Sequence, residues 1–522
     1  MGTLRRFAFL LAVVTPLVAG PGPAVANDLR VGTSRRDITP VSPSLAAAYE
    51  ARFGVPAVVN HSEPVWMAGF GNGRSALDYH DRLWARGVVM DGKGGRIAIV
   101  TLDVVGYFTN EIATIRAMVS PASNVDYVVV TSTHQHEGPD TLGLWGPDEL
   151  TSGIDYGYLD FVNAAAADCV DEAAANLERA RVRFATTTSQ GLSLGLDPED
   201  DGFGVADGKV LNGDASLAPA TGGRIVDPTI AAMQFTRREA PRAVLATLVN
   251  FGSHPESLGS DNRLITADFP NAARTRLEAE YGGLAIWVSG DLGVLQGPLD
   301  IDVRDPDTGE PAPRRTFRFA EVHGTQLAER AISALAAAGH GDVAPRLSFA
   351  SVNPVAIPLD NPFFRLFAAV GVLNVRRPLF TDGVPDASVG FPFPPPFDPI
   401  PQALGEDIHT EVGALRIGRA SVALVPSELD PQIGFEYRAR MVGADHTFLF
   451  GLANDHIGYQ VPFAKWDPSC HQCAPFVIAG FEAFCPVQPI DCSTVFANNV
   501  GQGVDPAISG ALEPLLDALH AP

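Results

Sequence analysis

The chain has 522 residues, 46% of them hydrophobic and 19% charged, with 51 glycines and 42 prolines spread along it. That composition excludes a disordered, coiled-coil or collagen-like protein and allows either two to four domains or one large enzyme body with insertions. With 37 basic against 60 acidic side chains the formal net charge is −23, without long single-sign runs, a surface that repels phosphate backbones and excludes nucleic acid as a partner.

Arg5 and Arg6 precede an apolar run from Phe7 to Ala19, followed by Ala24-Val25-Ala26. This is the pattern of a secretory signal peptide over residues 1–26; the alternative, a membrane anchor, needs a longer apolar run than this one. Either way the body is expected outside the cytoplasm, secreted or periplasmic. Further along, strand-like runs cover Gly87–Met90 and Arg96–Leu102, helical spacing covers Tyr107–Val119, and a β-branched strand over Val125–Thr131 leads into Ser132-Thr133-His134-Gln135-His136. The order strand, helix, strand predicts an α/β unit with polar groups at a strand end, where sites tend to lie.

Tyr158–Ala180 reads as an Ala-rich helix and Val182–Thr187 as a strand, while Ser189–Gly223 is rich in Gly and Asp and reads as loop. A strand over Ala243–Asn250 runs into Phe251-Gly252-Ser253-His254. A helix (Pro270–Tyr281), a buried strand (Leu284–Ser289) ending at Gly290-Asp291, and a long amphipathic helix (Phe317–Ala338) follow. Asn361–Val375 is strongly apolar but too short to span a bilayer. It is either a buried helix or an exposed lid, and in the second case it offers peripheral contact with a membrane surface. Leu415–Val425 gives two strand-like pieces that stop at Pro426-Ser427-Glu428, and Phe448–Ala453 is a last strand before Asn454-Asp455-His456-Ile457-Gly458-Tyr459.

His134 and His136 stand two apart at a strand end, so an extended backbone would put both on one face. Such a pair can chelate a metal or supply one ligand and one acid/base group; two surface histidines are the plain alternative. His254, Glu428 and Tyr459 each follow an apolar strand as well. Taken singly each has a structural reading, but imidazoles, a carboxylate and a phenolate at one topological position form a donor set that suits Zn²⁺.

The segment Val130-Thr131-Ser132-Thr133-His134-Gln135-His136-Glu137-Gly138-Pro139 resembles the Thr-His-Thr-His-Ser-Gly-Pro stretch of the neutral, non-lysosomal ceramidases, which are zinc-dependent amidases. Met67 to Gly71, His80 to Arg86, Asn250 to Pro255, Ser289-Gly290-Asp291, Pro426-Ser427-Glu428 and Gly451 to Tyr459 resemble further motifs of that family, in the same order. The resemblance implies an α/β fold of mixed sheets with flanking helices and a metal site at strand ends. It implies zinc held by His134, His254, Glu428 and Tyr459, His136 beside the metal as the proton-transfer group, and Asp291 as a carboxylate orienting a ligand histidine. The implied activity is hydrolysis of an amide or related acyl bond in a small amphiphilic or lipid-like substrate, in sphingolipid or other lipid metabolism, by a metal-activated water.

Departures from the family pattern point to a rebuilt substrate side. Gly293 stands where the family carries a serine after its Gly-Asp pair, no arginine occurs between Thr186 and Gly204, and His456 replaces the first tyrosine of a Tyr-x-x-Tyr pair. A non-catalytic descendant that binds a cell-surface or small-molecule ligand is therefore the alternative. A metallohydrolase of carbohydrate or phosphate esters has only the acidic, Gly-rich loop in its favour.

The expected division is a zinc hydrolase domain over 27–465 and a Cys-rich segment with a terminal helix over 466–522, packed on it. Outside the cytoplasm, Cys470, Cys473, Cys485 and Cys492 are expected to form two disulfides rather than a zinc knuckle. Cys169, in the Ala-rich helix, is expected to be a buried thiol.

Overall fold

A computed structural model describes residues 28–189, 193–194, 226–240, 242–293, 296–298, 301–385, 405–466 and 499–519. The expected signal peptide, the four clustered cysteines and most of the Gly/Asp-rich loop lie outside the described residues. Two mixed sheets pack face to face, with helices covering both outer surfaces, the α/β architecture expected from the sequence. In the larger sheet the eight strands run in the order Leu284–Ser289, Val244–Phe251, Thr229–Arg237, Glu178–Thr188, Arg30–Asp37, Trp84–Gly92, Gly95–Leu102, Tyr127–Ser132. Its interior pairs are antiparallel. The last pair at each end, Leu284–Ser289 with Val244–Phe251 and Gly95–Leu102 with Tyr127–Ser132, is parallel.

The strands read as unbroken apolar runs because both faces are covered. Val88, Met90, Ile97 and Ile99 point into the core shared with the second sheet. Their neighbours Val89, Ala98 and Val100 pack under the helices Tyr156–Ala175 and Thr109–Met118. Farther along the sheet, the helices Asp268–Tyr281 and Phe317–Ala337 cover a core built on Phe251, Phe269 and Trp287. The second sheet is centred on Asp407–Ile417, which pairs with Leu347–Pro358 and Ala420–Leu424, and Ala420–Leu424 in turn pairs in parallel with His446–Phe450. Its outer face carries the helices Pro431–Arg440 and Val504–Leu519.

The sheet curls until its two edge strands meet. Ser289 Oγ, at the end of one edge, donates to the Thr133 carbonyl beyond the other at 2.7 Å. Asn250 locks the second sheet to this seam: its Nδ2 reaches the Leu449 carbonyl at 2.7 Å and its Oδ1 takes the Leu449 N–H at 3.1 Å. The C-terminal ends of four strands thereby converge on one point.

Three elements differ most from the sequence reading. The Ala-rich helix stops at Ala175 instead of Ala180, because Glu178 already begins a strand paired with Thr229–Arg237. The strand Leu347–Pro358 and the helix Pro431–Arg440 lack a clear apolar period and were not expected: much of that strand is partly exposed, and the helix buries only Pro431, Ile433, Gly434 and Tyr437. The apolar segment at 361–375 holds the helix Pro362–Ala369, with Phe364, Phe367, Ala368 and Val372 in the core beneath the terminal helix. Among the described residues no helix is long and apolar enough to cross a membrane. Cys169 is buried without a disulfide, and burial pushes its thiol up to about 12.

Candidate metal centre

Each prominent group of the site sits just past a strand end. His134 follows Tyr127–Ser132 and His254 follows Val244–Phe251. Glu428 follows Ala420–Leu424, while His456 and Tyr459 follow His446–Phe450. His134 does not continue the strand: its backbone lies in the left-handed region at φ 64°, a conformation that costs a non-glycine residue about 1–3 kcal/mol. It is held there by its N–H on the Val104 carbonyl, 3.0 Å. The expectation that strand alternation presents His134 and His136 on one face is thus corrected. A turn brings them together instead, Nε2 to Nε2 at 3.4 Å.

Glu428 is the hub. Its Oε2 lies 3.1 Å from His254 Nε2 and 3.5 Å from His134 Nε2, and its Oε1 lies 3.1 Å from His456 Nε2. Tyr459 is register partner of Glu428 in a short parallel ladder and is buried, its ring 6.5 Å from that of His254. Burial, aided by the nearby His134 and His254, keeps His136 well below the ordinary imidazole value and so neutral.

The tautomers test whether a cation fits. His134 Nδ1 faces the Val105 carbonyl at 2.6 Å and His254 Nδ1 faces the Gln296 carbonyl at 3.0 Å. A carbonyl only accepts, so in each neutral ring the proton sits on Nδ1. The Nε2 lone pairs then point at the oxygens of a buried carboxylate. Lone pairs aimed at an anion repel unless a cation lies between them, and carbonyl-anchored imidazoles are the usual surroundings of a metal. Among the described residues, two groups of side chains place their donor atoms within 4.8 Å of one another, His134/His136/His254 and His134/Glu428/His456. Imidazole nitrogen with carboxylate oxygen is a set that zinc accepts.

Around this cluster His136 is tied from several sides. Its N–H donates to the Pro255 carbonyl at 3.1 Å, and its ring meets Phe70 edge-on at 5.2 Å. Its carbonyl accepts from Arg74, which also bonds Glu137 Oε2 at 3.0 Å. Burial pushes Glu137 up to about 8 in spite of that guanidinium.

Asp291 is placed elsewhere than the sequence reading put it. The Nδ1 atoms of the two anchored histidines are taken by backbone carbonyls, and Asp291 lies against Asp227 and Gly434. Burial and the Asp227 carboxylate push its carboxyl well above the usual range, and Arg438 bonds Asp227 at 2.9 Å. The strand-end position was legible; the turn at Gly290-Asp291 directs the side chain to the neighbouring helix. His456 and Gln296 entered the site without being expected there. His456 is marked in the sequence only by its place in the strand-end run Asn454 to Tyr459 and as a departure from the family's tyrosine pair, and the carbonyl role of Gln296 has no sequence signal.

A family model described as neutral/alkaline non-lysosomal ceramidase, N-terminal, matches residues 60–354. Among solved structures, neutral ceramidase from Pseudomonas aeruginosa is similar with a TM-score of 0.64 at 15% identity, over 95% of this chain and 75% of that one. A structure described as ceramidase complexed with C2 is similar with a TM-score of 0.61 at 15% identity and the same coverage. No curated protein matches the chain. At that identity the structural likeness is one of fold, and it agrees with the mixed α/β architecture described above.

Proposed function

Because the chain belongs to the neutral/alkaline non-lysosomal ceramidase family, we propose that it is an exported, zinc-dependent hydrolase that cleaves the N-acyl amide, or a related acyl bond, of a small amphiphilic or lipid-like substrate. The observation that carries this reading is the convergence of the His134 and His254 Nε2 lone pairs on the buried Glu428 carboxylate. These three side chains would hold the zinc, with Tyr459 beside them as the donor that the family resemblance implies. Zinc there would supply a Lewis acid for the acyl carbonyl and bring the pKa of a water down toward neutrality. His136, buried with its Nε2 3.4 Å from that of His134, is the group placed to pass a proton to the leaving amine.

Gly293 sets the substrate side apart. A Cβ at this position would stand 2.5 Å from the Leu429 carbonyl carbon and 2.6 Å from the Glu428 carbonyl oxygen. A side chain cannot enter without moving the strand that carries Glu428. No serine is available there, so hydrolysis through water is the route the residues support. The same observation favours the second reading, a protein that keeps the site and binds its ligand without turnover.

Zinc analysis of the purified protein and a panel of N-acyl amides separate the two. The expected result is near one zinc per chain, with turnover that chelation abolishes. In His134→Ala and His254→Ala both metal and turnover should fall by more than the 10–100-fold typical of groups around the ligands. Zinc without turnover on any acyl amide supports the binding reading, and turnover that survives in metal-free protein overturns the proposal.

A further inference from the structure

Three imidazoles face Glu428, but they do not face it alike. His134 and His254 carry their protons on Nδ1, toward backbone carbonyls, and offer lone pairs to Oε2. His456 approaches the other oxygen, Oε1, at 3.1 Å, and its Nδ1 is buried with no hydrogen-bond partner. A proton on Nδ1 would be stranded, whereas a proton on Nε2 has Glu428 Oε1 directly in front of it. The tautomer that satisfies the site is therefore the opposite of that of the other two rings, and His456 donates a proton toward Glu428 where they present lone pairs.

The ring has little freedom to do anything else. Its backbone N–H is fixed on Asp455 Oδ1 at 2.8 Å, and Asp455 is locked by a two-pronged ion pair with Arg377, both contacts at 2.7 Å. On the far side the ring packs onto Gly106, where even a methyl group would fall 1.9 Å from Nδ1. A buried carboxylate left alone can rotate and offer a metal either oxygen or both. One whose Oε1 accepts a fixed hydrogen bond presents Oε2 alone.

We propose that His456 is a positioning residue that donates Nε2–H to Glu428 Oε1 and so fixes the carboxylate as a one-oxygen ligand through Oε2, facing His134 and His254. The inference rests on the metal-site reading above and adds to it the orientation of one ligand by a residue in which this chain departs from the family pattern.

The test measures zinc affinity of the full chain by competition with a chromophoric chelator, together with thermal unfolding of the metal-free form. His456→Leu removes the donor, and His456→Gln keeps an N–H at similar reach. The expected result is a 10–100-fold weaker zinc Kd for His456→Leu, recovery to within about threefold for His456→Gln, and metal-free melting temperatures that do not follow this order. If His456→Leu binds zinc as tightly as the parent, or His456→Gln binds as weakly as His456→Leu, the positioning role is overturned while the metal site stands. If the parent chain itself takes up no zinc, the metal-site reading fails first. Should His456→Leu not fold, the pair His456→Gln and His456→Glu decides: the second puts a carboxylate against Glu428 and must weaken zinc binding relative to the first, and equal affinities overturn the role.

Discussion

His254 Nε2 lies 3.1 Å from Glu428 Oε2 across 174 residues of sequence. The contact joins the end of a strand in the eight-stranded sheet to the end of a strand in the second sheet, so the site exists only where the two sheets meet. Glu428→Gln keeps the shape and removes the charge that the imidazoles face. Zinc affinity is expected to fall by more than 100-fold, beyond the range seen for groups that merely support ligands. Equilibrium dialysis against buffered zinc reads this directly, and unchanged affinity would show that Glu428 is no ligand.

Gly293 donates its N–H to the Leu429 carbonyl at 2.8 Å and has backbone on the side where a Cβ would project. Gly293→Ser therefore does not recreate a family serine; it forces apart the turn and the Glu428–Leu429 strand. A destabilisation of about 1–3 kcal/mol is expected from the overpacking, with weakened zinc binding. Urea unfolding of Gly293→Ser and Gly293→Ala should show similar losses, since the first carbon is the one that clashes. A serine variant as stable as the parent contradicts this.

Arg274 grips Asp103 with both terminal guanidinium nitrogens, at 2.7 and 2.9 Å, and both residues are almost wholly buried. The pair ties the helix Asp268–Tyr281 to the end of the strand Gly95–Leu102, next to the turn that carries His134. Arg274→Ala leaves an uncompensated carboxylate in the core, for which about 3–5 kcal/mol is expected. Chemical denaturation measures it, and a loss under 1 kcal/mol would mean that water reaches Asp103.

His323, packed against Phe269 and Phe319, is held down to about 3 by burial. Between pH 6.5 and 3 the unfolded chain binds a proton there and the folded chain does not. This part of the stability is whole above pH 6.5 and falls as the pH drops, at up to about 1.4 kcal/mol per pH unit. In His323→Leu that part of the slope should vanish, read as unfolding midpoints across this range. An unchanged slope would assign the acid sensitivity to other groups.

The local sequence carried much of the framework because the framework is locally encoded. Leu284–Ser289 is a dense apolar run, and its bounds were legible to the residue; Phe317–Ala337 shows its buried stripe in the spacing of Phe319, Val322, Leu327 and Ala331. Leu347–Pro358 was not legible, since many of its side chains are partly exposed and its place comes from hydrogen bonds to Asp407–Ile417. In the site, His134, His136, His254 and Glu428 stood out by residue type at strand ends, and the structure brings all four together. Asp291 had the same signature and went elsewhere, while His456 looked only like a departure and lies against Glu428.

Composition, length and apolar periodicity determine an acidic, large-cored α/β chain with metal-compatible side chains at its strand ends, because burial and backbone hydrogen bonding select those elements over a few residues at a time. Which of those side chains meet is a long-range matter. It was decided by the curl that brings Ser289 to Thr133, by the Asn250 clasp between sheets, and by the carbonyls of Val105 and Gln296 that turn two imidazoles inward. Those contacts join residues as much as 199 positions apart, and no local pattern encodes the direction in which a ring nitrogen points.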